Sequence, residues 1–186
     1  SRSALAFVWG PPGTGKTTAV TRLLALRLLL APAEDDGGIL VVAPTGKAAQ
    51  RLNVSMRRAV ESLDIDPALK AQLEQIQAKT IHRALKWTPL PPERGGPFRY
   101  HQGCPLEASV VIVDEASMVD IGLMFRLMDA VREDAQVILL GDRDQLTSVE
   151  AGGVLADLCL DSAEIASENS PLHQSISVLE HSHRFD

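Results

Sequence analysis

The stretch ALAFVWGPPGTGKTT, residues 4–18, passes from an apolar run into a turn that fits G-x-x-x-x-G-K-T from Gly10 to Thr17. It continues into TAVTRLLALRLLL, with no helix breaker before Pro32. A strand, a glycine-rich turn and a helix in that order form the setting that a phosphate-binding loop requires. Gly13 and Gly15 let backbone N–H groups turn inward around a phosphate, and the following helix points its positive end at the anion. Lys16 is placed to reach β- and γ-phosphates, and Thr17 to offer its hydroxyl to Mg²⁺. The candidate nucleotide contacts are Gly10, Pro11, Pro12, Gly13, Thr14, Gly15, Lys16, Thr17 and Thr18, with ATP and Mg²⁺ as cofactors. A glycine-rich turn with no nucleotide is the competing reading, and the complete motif in its proper setting argues against it.

Downstream the chain alternates. EDDGG is a turn before the apolar run ILVVA; GKAAQRLNVSMRRAVES and PALKAQLEQIQ read as helices. Asp66 should cap the second of these, with Pro67 at its first position. SVVIVDE and QVILLGD are continuous apolar strands separated by the helix DIGLMFRLMDAV. Such strands, apolar on both faces and joined by helices, predict a single α/β domain over 1–186 with a parallel sheet covered on both sides. Ligands in such sheets bind at the carboxyl ends of the strands. Residues 88–105 hold five prolines and three glycines and should form an irregular excursion. The connection through 161–176 has no clear pattern.

Two more strands end in chemistry. VVIVDE delivers Asp114 and Glu115 side by side, one suited to hold Mg²⁺ through water and the other to orient and deprotonate an attacking water. Paired carboxylates here could instead cap the next helix. VILLGD should lie beside that strand and bring Gln145 back toward the nucleotide, where a neutral amide can donate to a γ-phosphate oxygen and accept from water. A surface glutamine in a polar turn is the alternative.

Composition bounds the rest. Hydrophobic residues make up 45% and charged residues 23%, a globular balance. The 2 cysteines, Cys104 and Cys159, form no disulfide or zinc pattern and fit a reducing, cytoplasmic setting. LLALRLLLA is too short for a membrane span and carries Arg27. The net charge of −6 hides an uneven distribution: residues 43–99 carry 10 basic and 5 acidic groups. That segment could be a phosphate-binding face, since screening makes distant charge nearly irrelevant, or simply a solvated helix surface. His181 and His183 lack further ligands at metal spacing. Trp87 could stack on a base, although a loop-anchoring tryptophan is more common.

VVAPTGKAAQRL, AKTIHRAL, VVIVDEASMVD, LLGDRDQLTSVEAGGVL and SVLEHSHRF, in this order after GPPGTGKTT, resemble the first motor domain of superfamily 1 DNA helicases. The phrases DEASMVD, GDRDQL and VEAGGVL resemble the RecD-like branch, the alpha chains of exodeoxyribonuclease V. The resemblance implies a RecA-like P-loop fold and an ATP-dependent DNA helicase moving 5′ to 3′ in double-strand-break repair and recombination. It implies catalytic roles for Lys16, Glu115, Gln145 as γ-phosphate sensor and Arg184 as a γ-phosphate contact, with Thr17 and Asp114 at the metal. Thr45, Lys47, Thr80 and His82 match motifs that hold single-stranded DNA, and all four lie in the basic segment. Implied partners are single-stranded DNA, double-stranded DNA ends and RecB-like and RecC-like subunits, these last through regions absent here. Both termini look cut, so half of a two-lobed ATP site is expected. An ATP-switched assembly or clamp ATPase of AAA+ type is the alternative; it predicts a C-terminal helical lid where this chain has SVLEHSHRFD. A GTPase would need an N-K-x-D motif, which is missing.

Overall fold

In the computed structural model, residues 5–11, 13–30, 38–89 and 97–142 are described, together with the backbone of 176–178. Among the described residues six strands form one sheet: β1 (Leu5–Trp9), β2 (Gly38–Ala43), β3 (Lys79–Thr80), β4 (Ala108–Val113), β5 (Gln136–Gly141) and β6 (Ile176–Val178). Their order is β3-β2-β4-β5-β1-β6, and every pairing is parallel. All carboxyl ends therefore share one edge.

The helices divide between the two faces according to strand alternation. α1 (Lys16–Leu30), α2 (Gly46–Glu61) and α3 (Pro67–Gln75) cover one face. Val20 and Leu24 of α1, Leu52 and Met56 of α2, and Leu69 and Leu73 of α3 pack there on Val41, Ile112, Ile138 and Leu140. The other face is covered by the short α4 (Ile81–Ala84), a 3₁₀ turn at Ala116–Met118 and α5 (Ile121–Ala130). There Ile81, Leu123 and Leu127 meet Phe7, Val42, Val111, Val113 and Leu139. Neighbouring residues of β4 thus enter opposite cores, and each fully buried Val, Leu or Ile contributes about 1.5–3 kcal/mol.

Helix starts follow the expected chemistry. Asp66 accepts from Ala68 N–H with Pro67 next to it, and Asp120 accepts from Leu123 N–H at the head of α5. Two strands have no counterpart in the sequence reading: β3, only two residues long beside β2, and β6 beside β1. Of the proline-rich excursion, the described portion makes antiparallel bridges between Trp87 and Phe98 and between His101 and Cys104. Residues 90–96, the turn at 34–37 and the 161–175 connection lie outside the described residues. Among the described residues no helix is long and apolar enough to cross a membrane.

Candidate functional site

The loop after β1 is built on two glycines in the left-handed region, Gly13 at φ 89° and Gly15 at φ 82°. A Cβ on Gly15 would meet nothing within 4 Å, so glycine is required there by backbone conformation and not by space. Buried Thr14 closes the turn from inside, its hydroxyl donating to the Pro11 carbonyl at 2.9 Å. Lys16 Nζ donates to the carbonyls of Gly10 and Pro11. Burial pulls its pKa below the usual lysine value, opposed by the charges of Asp142, Asp114 and Glu115.

β4 ends in Asp114, whose N–H donates to the Val42 carbonyl at 2.9 Å, and the chain then turns sharply through Glu115. Glu115 has φ 52° and ψ 39°, a left-handed conformation that costs a non-glycine residue about 1–3 kcal/mol. This bend starts the 3₁₀ turn, with Met118 N–H donating to the Glu115 carbonyl at 2.9 Å. Burial raises the Asp114 pKa above the ordinary aspartate value. The backbone N–H of Glu115 and the Lys16 charge act against this rise, and the Glu115 charge adds to it.

These groups converge on one cleft of about 370 Å³. Its floor is Gly13, Gly15, Lys16, Thr17 and Thr18; its inner wall is Asp114, Glu115, Gly141 and Asp142. Its outer wall is α2, through Ala48, Arg51, Leu52 and Ser55. The residues fit a magnesium nucleotide: a loop with two positive-φ glycines leading into a helix N-terminus suits phosphates, and the strand-end carboxylates Asp114 and Glu115 in the same cleft suit a cation beside them. Among the described residues no group of three or more His, Cys, Asp or Glu could hold a metal alone. Mg²⁺ is usually bound by one or two carboxylates together with substrate phosphates. Arg51, Ser55 and Asp142 escaped the sequence reading, although Ala48, Arg51, Leu52 and Ser55 recur at helical spacing and Asp142 ends a strand.

A second groove, of about 570 Å³, lies on the other side of α2. Gly46, Ala49, Gln50 and Asn53 form one wall, and Lys79, Thr80, His82, Arg83 and Trp87 the other. Thr45 and Lys47 flank Gly46 and are exposed, but neither lines the groove. Thr45 and Thr80 both serve as helix N-caps, accepting from Ala48 N–H at 3.1 Å and Arg83 N–H at 3.2 Å. Trp87 is 46% exposed and meets the His82 ring edge-on, with centroids 6.0 Å apart. Pro12, Gln145 and Arg184 lie outside the described residues.

Residues 1–174 match a family described as an AAA domain. The RecBCD enzyme subunit RecD of Mycobacterium tuberculosis is 49% identical over 151 residues, covering 80% of this chain and 25% of that protein. The ATP-dependent RecD2 DNA helicase of Deinococcus radiodurans is 36% identical over 149 residues, 80% of this chain and 17% of the relative. The chain thus spans about a quarter or less of the length of these relatives. The solved structure of unliganded Pif1 from a Bacteroides species aligns over 98% of this chain and 38% of that one, with a TM-score of 0.49 and 21% identity. With its phosphate loop, strand-end carboxylates and parallel sheet, the chain belongs to this AAA domain family as a RecD-like P-loop motor domain.

Proposed function

We propose that the chain is the ATP-binding motor lobe of a RecD-like DNA helicase, coupling ATP hydrolysis to 5′ to 3′ translocation and unwinding. The whole enzyme is an exodeoxyribonuclease V acting in double-strand-break repair and recombination. The observation that carries this reading is the double use of α2, which walls a phosphate cleft on one side and a basic, aromatic groove on the other.

The loop backbone and Lys16 bind the polyphosphate, while Thr17 and Asp114 would hold Mg²⁺. When bound, the metal neutralises charge on the phosphate oxygens. Glu115 orients the attacking water and takes its proton. Gln145 senses the γ-phosphate and Arg184 touches it. Thr45, Lys47, Thr80 and His82 grip the backbone of single-stranded DNA without reading its sequence. RecB-like and RecC-like subunits are the expected partners, DNA ends the substrate and the cytoplasm the compartment, in keeping with the RecBCD name of a relative. The AAA+ assembly alternative has less support, since the curated relatives named here are a RecD subunit and a RecD2 helicase.

DNA-stimulated ATP hydrolysis and strand unwinding by the whole motor test the reading, in wild type and Gln145→Ala. Both activities should drop in the variant while ADP affinity stays nearly intact. Wild-type rates for both would make Gln145 a bystander, and a wild-type motor without DNA-stimulated turnover would end the helicase assignment.

A further inference from the structure

We propose that Arg51 pairs with the terminal phosphate of ATP and so distinguishes ATP from ADP, a role that rests on the nucleotide reading of the cleft. Arg51 sits in the second turn of α2, its side chain exposed and lining the cleft that holds Lys16, Asp114 and Glu115. Three carboxylates, Asp114, Glu115 and Asp142, line the inner wall, and among the described lining residues Lys16 and Arg51 are the two cations. Lys16 belongs to the loop that cradles the β-phosphate. A third phosphate extends past that loop toward the carboxylates, where it needs more positive charge than ADP does. Arg51 joins the lining from α2, a different element from those that carry Lys16 and the carboxylates, and a guanidinium fork matches phosphate oxygens two at a time.

The position on α2 gives this contact a consequence. Residues 48, 51, 52 and 55 face the cleft, while 46, 49, 50 and 53 face the basic groove, two stripes of one helix at helical spacing. Asn53 is fastened to Ala78, just before Lys79 and Thr80 on the far wall of that groove. A pull on Arg51 therefore acts on a helix that forms one wall of the groove and is tied to the other.

The test uses the 186-residue chain with Mg²⁺ and two probes, ADP and the non-hydrolysable β,γ-imido analogue of ATP, titrated by calorimetry. Arg51→Ala should weaken the analogue about tenfold and ADP less than about twofold, and Arg51→Lys should recover part of the loss, since it keeps the charge without the fork. Equal losses for both nucleotides, or no loss, overturn the assignment. Anisotropy of a labelled oligo-dT supplies the second readout. The ratio of DNA affinities in the analogue and ADP states should move toward one in Arg51→Ala, with nucleotide-free DNA affinity unchanged. An unchanged ratio overturns the link through α2, and a nucleotide-independent loss of DNA affinity makes Arg51 a DNA contact instead. Lys16→Ala separates the layers: if it also binds both nucleotides normally, the nucleotide reading of the cleft fails. If it loses both while Arg51→Ala loses neither, only the Arg51 assignment fails.

Discussion

Asn53 and Ala78 hold each other through a closed pair of hydrogen bonds: Asn53 Nδ2 donates to the Ala78 carbonyl at 3.0 Å, and Ala78 N–H donates to Asn53 Oδ1 at 2.7 Å. The side-chain amide imitates a strand partner and fixes α2 against the entry to β3. Asn53→Ala leaves both backbone groups of the buried Ala78 without these partners, and should cost about 1–3 kcal/mol in a urea melt. Because β3 carries Thr80 into the groove, the variant should also bind oligo-dT more weakly while keeping its ADP affinity. Unchanged stability would mean that water replaces the amide at no cost.

Gly141 pairs directly with Trp9 across the sheet, and the indole lies over it. A Cβ on Gly141 would stand 2.7 Å from Trp9 Cζ3, closer than real side chains approach. Gly141→Ala should destabilise by about 1–3 kcal/mol, as overpacking of a full core does. Trp9 Nε1 is buried with no hydrogen-bond partner among the described residues, so Trp9→Phe removes bulk and an unsatisfied donor together. The double variant should be less impaired than the sum of the single changes, a coupling that a double-mutant cycle reads directly. Simple additivity would show that the indole does not dictate glycine at 141.

Asp114 gives the site a pH signature. Its folded pKa is raised, chiefly by burial, so the folded chain holds this proton more tightly than the unfolded chain does. Stability must then fall as pH rises from the unfolded pKa through the folded one, and the cost persists at higher pH. Asp114→Asn should therefore raise the melting temperature of the nucleotide-free chain at ~pH 7 and leave it nearly unchanged near ~pH 3, where aspartate is protonated in both states. It should also weaken the dependence of nucleotide binding on Mg²⁺. A lower melting temperature for the variant at neutral pH would reverse the assigned sign.

The fold was legible where residue chemistry is local. GPPGTGKTT, the cap at Asp66, and the apolar runs at β2, β4 and β5 each announce themselves within a few positions. β3 was not legible, because two residues beginning with an exposed lysine carry no strand pattern and exist only by pairing with β2. The apolar run of α1 concealed its orientation: leucines surround the helix, Leu24 being buried while Leu23, Leu26, Leu29 and Leu30 are exposed. In the site, Lys16 and Asp114 followed from their motifs. Arg51 did not, since its place in the cleft depends on α2 lying beside the loop and the strand ends, a relation between distant segments.

The central claim is that this cleft binds a magnesium nucleotide through the loop and Lys16, and calorimetric titration of Mg-ADP into wild type and Lys16→Ala tests it most directly. A charge-assisted hydrogen bond is worth about 1.5–3 kcal/mol, so the variant should bind about tenfold more weakly or worse, with its fold intact by circular dichroism. Equal affinity for the two proteins, or no binding by wild type, would contradict the account.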